Sequence, residues 1–88
     1  MKSIQVFDPA STANAQFTVD EVWAREHGAA VQRFNPLTDT QVFSENPTVK
    51  LYVARSGEEA LPLVLLNGEI ALAGRYPTRA ELSRWAGI

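Results

Sequence analysis

Apolar and polar positions alternate over residues 2–7, placing Ile4 and Val6 on one face, which predicts a strand. Asp8-Pro9 breaks that pattern, and residues 8–17 are mostly small and polar, which predicts a loop. Thr18 and Glu21 have capping-box spacing: the Thr hydroxyl would accept from the Glu21 amide and the Glu carboxylate would reach back. Val19, Val22 and Trp23 then recur at helical spacing and Gly28 suits a helix end, predicting a helix over 19–27. Residues 29–34 predict a second strand. Leu37, Val42 and Phe43 predict a short, irregular helix. The next helix opens at Asn46-Pro47, with Asn as N-cap and Pro at the first helical position. Val49, Tyr52 and Val53 share its apolar face, and Gly57 ends it.

The run Leu61-Pro-Leu-Val-Leu-Leu66 is apolar without interruption, as in a strand buried on both faces. Asn67-Gly68 follows at once and predicts a type I′ hairpin turn, because both positions need positive φ. In the return strand over 69–73, strict alternation puts Ile70 and Leu72 on one face and Ala71 and Ala73 on the other. Thr78 and Glu81 form a second capping-box pattern. The last helix carries Leu82, Trp85 and Ala86 and closes at Gly87.

The element order is therefore β-α-β-(α)α-β-β-α. A βαβ unit favours a right-handed crossover between parallel strands, and the Asn-Gly hairpin makes the last two strands antiparallel. The expected fold is α/β and thioredoxin-like: one domain over residues 1–88, with a mixed four-stranded sheet flanked by helices. Pro62 stands at the start of the third strand, where such folds often hold a cis-proline.

Composition narrows the chemistry. The chain has 88 residues, is 45% hydrophobic and 20% charged, and has a net charge of −2. Surface scaling gives a folded area of about 5,100 Å², enough burial for one modest core. Only 2 of the 8 basic residues are lysines and the basic residues are dispersed, so no stripe matches a nucleic-acid backbone. There is no cysteine, which excludes disulfides, thiolate metal sites and thiol redox chemistry; one histidine excludes a His-rich site. No apolar run is long enough to span a membrane and no signal-peptide core is visible, so the expected location is cytoplasmic.

In a thioredoxin-like fold the working loop follows the first strand, here residues 8–17. Asp8, Ser11, Thr12, Thr18 and Pro62 would then frame a site with hydroxyls in place of thiols. A hydroxyl nucleophile needs an adjacent base, and none is visible. His27 sits at the far end of the helix and reads as a solvated side chain favoured by the helix dipole. Asp8 and Glu21 could be imagined as a carboxylate pair, but a turn residue and a capping residue account for them better. Trp23 and Trp85 read as core residues. Arg75 and Tyr76, after the hairpin, read as exposed residues suited to a protein interface. No enzyme activity, cofactor or metal is expected.

Four segments carry a family resemblance: Val6-Phe-Asp-Pro-Ala10, Arg33-Phe-Asn35, Leu61-Pro-Leu-Val-Leu-Leu-Asn-Gly-Glu69 and the stretch from Ala73-Gly-Arg-Tyr-Pro77 through Trp85. Together they resemble the ArsD family of arsenical-resistance proteins nearly end to end. The resemblance implies a thioredoxin-like metallochaperone that passes trivalent arsenic or antimony to the ArsA ATPase and weakly represses its operon. It also implies a cysteine pair just after Phe-Asp-Pro-Ala, which falls on Thr12 and Ala13 here, and a third cysteine further on. The stretch between Ala10 and Arg33 is about a dozen residues shorter than the family pattern, and the family's cysteine-bearing tail is absent. Trivalent arsenic is held by thiolates, whereas Ser and Thr hydroxyls are hard and protonated at neutral pH. The expected function is thus a non-catalytic binding or regulatory module docking on a protein such as an ArsA-type ATPase. The alternatives are a weak repressor of the ars operon acting as a homodimer, or a metallochaperone whose cysteines were removed by engineering.

Overall fold

The structure, a computed structural model, describes residues 3–9 and 15–88. Its strands are β1 (Ser3–Phe7), β2 (Ala30–Phe34), β3 (Leu63–Leu66) and β4 (Glu69–Ala73). Its helices are α1 (Ala15–Glu26), α2 (Thr40–Glu45), α3 (Pro47–Ser56) and α4 (Arg79–Ala86), with a 3-10 turn over Gly57–Ala60. The sheet order is β2-β1-β3-β4. β1 and β2 are parallel, and β1/β3 and β3/β4 are antiparallel. This is the expected mixed four-stranded sheet of a thioredoxin-like fold, with a surface area of 5084 Å².

Helices cover both faces. Ile4, Val6, Val31 and Val64 point toward α1 and α4, where Phe17, Ala24 and Leu82 meet them. Phe7, Leu63 and Leu65 point the other way, onto Val49 of α3 and Phe43 of α2. Leu63, Val64 and Leu65 are all fully buried, so the uninterrupted apolar run follows from β3 being covered on both sides. The strand begins at Leu63, two residues later than expected, and the Leu61–Pro62 bond before it is cis.

Local signals account for several junctions. Asn67 (φ 53°) and Gly68 (φ 85°) make the hairpin turn. The turn is tied to the start of β1, as Ser3 N–H donates to Asn67 Oδ1 at 2.9 Å and Asn67 N–H to Ser3 O at 2.9 Å. The Asn46 side chain caps α3, accepting from the amides of Thr48 and Val49 at 3.1 and 3.2 Å. Thr78 and Glu81 form the full capping box of α4.

Four expectations fail. The first helix starts at Ala15, so Thr18 lies inside it and is no N-cap. Its buried face is Phe17, Asp20, Glu21 and Ala24, while Val19 and Val22 are 57% and 49% exposed; of the apolar stripe read from the sequence, only Trp23 packs against the core. In β4, Leu65 pairs with Ile70 but Val64 with Leu72, leaving Ala71 as an extra residue. That bulge turns Leu72 to the α1/α4 face and Ile70 to the α3 face, against the alternation. Tyr52 is exposed although Val49 and Val53 on the same helix pack inward.

β2 is an edge strand. Asp8 N–H donates to Phe34 O, so alternation along the parallel ladder turns the backbone carbonyl of Val31 away from β1. Arg25 covers that carbonyl, with Nε and Nη2 donating to Val31 O at 3.1 and 2.8 Å and Nη2 pairing with Glu21 at 2.6 Å. A charged side chain on a bare edge blocks strand addition. Arg25→Ala is expected to self-associate at concentrations where the parent does not, as read by sedimentation velocity. An unchanged sedimentation coefficient would show that the edge is protected by other means.

Candidate functional site

The carboxylate of Asp8 follows β1 directly and is 7% exposed. Val6 pairs with Arg33 across the parallel ladder, so Arg33 on β2 lies beside Asp8, facing α1. Its guanidinium forks onto the carboxylate: Nε donates to Oδ2 at 3.0 Å and Nη2 to Oδ1 at 2.8 Å. Nη1 turns to α1, donating to Glu21 Oε1 at 3.2 Å and Thr18 Oγ1 at 3.3 Å. Tyr76, in the β4–α4 connection, donates its hydroxyl to Asp8 Oδ1 at 2.5 Å. Its ring stacks on Phe17 at 4.7 Å, and the Arg33 guanidinium lies 5.0 Å from the centre of the Phe17 ring. One cation thus joins the end of β1, the first half of α1 and the loop before α4.

The electrostatics follow from that geometry. Hydrogen bonding and charge from Asp8, then Glu21, hold Arg33 above its ordinary range against the opposing effect of burial. Burial first, and the Asp8 hydrogen bond second, push the Tyr76 phenol up to about 12. A free phenol titrates near 10, so between about pH 10 and pH 12 the unfolded chain loses this proton and the folded chain keeps it. The stability Tyr76 contributes is complete below about pH 10 and is lost as the pH rises through about 12. Tyr76→Phe is expected to flatten the alkaline fall in stability, measured as urea midpoints from about pH 9 to pH 11.5. A fall as steep in Tyr76→Phe as in the parent would assign it to other groups.

The residues singled out in the sequence separate into three groups. Asp8, Thr18 and Tyr76 converge on Arg33, which sequence reasoning left out as a site residue. Its only signal is a cation in the middle of a strand pattern, whose buried partners belong to other elements. Glu21 is not a capping residue: it is 6% exposed and bridges Arg33 and Arg25. Asp8 and Glu21 therefore share one guanidinium, that of Arg33, rather than serving as a turn residue and a capping residue. Pro62 precedes the Leu63 that pairs with Phe7, and so lies level with Asp8 on the neighbouring strand. Ser11 and Thr12 lie outside the described residues.

Arg75 and Tyr76 part company. Tyr76 is half-buried in the Asp8 cluster, not the exposed anchor expected. Arg75 is exposed and forks onto Glu81, at 2.8 and 3.0 Å. Its hydrogen bonds, and then the Thr78 backbone N–H, hold the Glu81 carboxyl down at about 2. Trp23 and Trp85 are partly buried against the α1/α4 core, and Arg79, paired with buried Asp20 at 3.0 Å, lies 4.9 Å over the Trp23 ring. His27 is exposed, with its ring against Trp23. Among the described residues no three His, Cys, Asp or Glu side chains are grouped to hold a metal ion, and no helix is long and apolar enough to cross a membrane.

All 88 residues match the family described as arsenical resistance operon protein ArsD. The chain belongs to the ArsD family. Two Escherichia coli relatives, each described as arsenical resistance operon trans-acting repressor ArsD, are 42% and 40% identical to it over 100 aligned positions. Each alignment covers all of this chain and 83% of the relative. A crystal structure of the arsenical resistance operon trans-acting repressor from Bacteroides vulgatus ATCC 8482 matches with a TM-score of 0.84 and 31% identity. That match covers 99% of this chain and 93% of the other. With 100 aligned positions against 88 residues, the ArsD relatives carry a further 12 within the matched span, the size of the shortening expected between Ala10 and Arg33. The segments that resembled ArsD in sequence meet in space: Asp8 of Phe-Asp-Pro-Ala, Arg33 of Arg-Phe-Asn and Tyr76 of Gly-Arg-Tyr-Pro supply the cluster.

Proposed function

We propose that this chain is a non-catalytic binding or regulatory module of an arsenical-resistance system. It docks on a protein partner such as an ArsA-type ATPase and carries no metalloid. The observation behind this reading is the absence of cysteine from all 88 residues of a chain that keeps the family's fold. A trivalent arsenic centre needs soft thiolates, and hydroxyls do not replace them. What remains is a surface. Arg75 is its natural anchor: exposed, held in place by Glu81, and able to fork onto a carboxylate of the partner.

Calorimetric titration of an ArsA-type ATPase from the same source tests this reading. The expected result is binding of equal strength with and without trivalent arsenic, weakened at least fivefold by Arg75→Ala, a loss of about 1 kcal/mol. Arsenic-dependent binding, or none in either condition, overturns it.

The names of the relatives favour a second reading, an operon repressor, for which we propose a homodimer. A net charge of −2 limits phosphate contacts, so any DNA complex should form only at low salt. A gel shift on an ars promoter fragment that arsenite does not release would support this role, because no thiol is present to sense the metalloid. No shift at low salt would remove it.

A further inference from the structure

On the sheet face opposite the Asp8 cluster, α2 and α3 leave an apolar groove of about 420 Å³. That is the size of a small-molecule site. Phe43, Val49 and Val53 form its interior, and Ser44, Lys50 and Ala54 are among the residues at its rim. Val49 is fully buried, and Phe43 is fixed edge-on against Phe7 at 5.2 Å, so the wall is formed before any ligand arrives.

Charge decides the kind of ligand. Lys50 is the one ionic side chain lining the groove, and among the described residues no acid pairs with it. The nearest acids before it along the chain, Asp39 and Glu45, take their hydrogen bonds from neutral donors and neither lines the groove. Asp39 accepts from the Asn35 amide at 2.9 Å and from the Thr38 hydroxyl at 3.3 Å, and Glu45 from Gln41 Nε2 at 2.8 Å. An apolar slot whose lining carries one unpaired ammonium and no acid matches an apolar body carrying one negative charge. We propose that the α2–α3 groove binds an amphipathic aromatic monoanion, such as an aryl carboxylate or sulfonate. The ring lies against Phe43 and Val53, and the acid group meets Lys50. The site is separate from the Asp8 cluster and does not depend on which macromolecular partner the protein has.

The probe is 8-anilinonaphthalene-1-sulfonate, titrated into the full chain. The expected result is a saturable, single-site rise in its fluorescence, with amide shifts confined to the groove, residues 36–54. Lys50→Glu should weaken binding about tenfold, or 1.4 kcal/mol. Ala54→Trp, a change at an exposed helical position, should fill the groove and abolish binding while far-UV circular dichroism stays unchanged. The uncharged analogue N-phenyl-1-naphthylamine should be indifferent to Lys50→Glu. Non-saturating binding, parent-like affinity in Ala54→Trp or Lys50→Glu, or shifts centred on the α1/α4 face would overturn the proposal.

Discussion

Arg33→Met is expected to remove about 3 kcal/mol of folding stability, the low end of the cost of breaking a buried ion pair. The cost comes from what is left behind. Asp8 and Glu21 have side chains only 10% and 7% exposed, and they would lose the cation that neutralises both. The low end applies because the Arg33 side chain is itself 23% exposed, so some water can reach the gap. Against a typical total of about 5–15 kcal/mol, the loss should move a urea midpoint by about 1–3 M. The triple variant Arg33→Met, Asp8→Asn, Glu21→Gln should recover much of it, because it removes the stranded charges as well. Arg33→Lys should fall between, since an ammonium cannot fork onto Asp8 and reach α1 together. A loss below about 0.5 kcal/mol in Arg33→Met would class these contacts with exposed salt bridges and remove the cluster from its organising role.

Phe17→Ala should cost about 3–5 kcal/mol, because Phe17 is 1% exposed and its ring is shared by three partners. It packs in the α1/α4 core, stacks on Tyr76 and lies beneath the Arg33 guanidinium. Removing the ring also opens Tyr76 to water. Burial is the larger cause of that phenol's high pKa, so its titration should fall from about 12 toward the ordinary value near 10. Tyrosinate absorbance follows this directly. Phe17→Leu, which keeps most of the volume, should cost about 1.5 kcal/mol or less. If Phe17→Ala loses stability but Tyr76 still titrates at about 12, the ring acts by packing alone and does not shield the hydroxyl.

Much of this was legible in the residues because the signals were local. A type I′ turn needs two positive φ values in succession, and Asn67-Gly68 supplies them cheaply. Asn46-Pro47 satisfies orphan amides at one end of α3, and Thr78 and Glu81 do the same for α4. The run from Leu63 to Leu66 tells of two covered faces without saying what covers them. The failures share a cause as well. Val19 and Val22 have helical spacing, but the sheet receives the face carrying Phe17 and Ala24. Asp20 and Glu21 can lie on that buried face because Arg79 and Arg33 reach in from other elements to neutralise them. Hydropathy scores such carboxylates as solvent-facing, since the partners that change the answer stand 12 and 59 residues away along the chain. The bulge at Ala71 is missed for a similar reason: nothing in Glu69-Ile-Ala-Leu-Ala marks an unpaired residue, and only the register with β3 does.

The sequence by itself determined the order of elements, the hairpin, the caps, the mixed sheet and the absence of any thiol on which arsenic chemistry could be built. Those properties depend on neighbouring residues or on composition alone. Tertiary structure decided that Asp8, Thr18, Glu21, Arg33 and Tyr76 form one hydrogen-bonded cluster, and that Arg25 closes the β2 edge. It also decided that an apolar groove remains open beside Lys50. Each of these requires side chains from separate elements to meet within a few ångströms, and that geometry exists only once the sheet and its helices have packed.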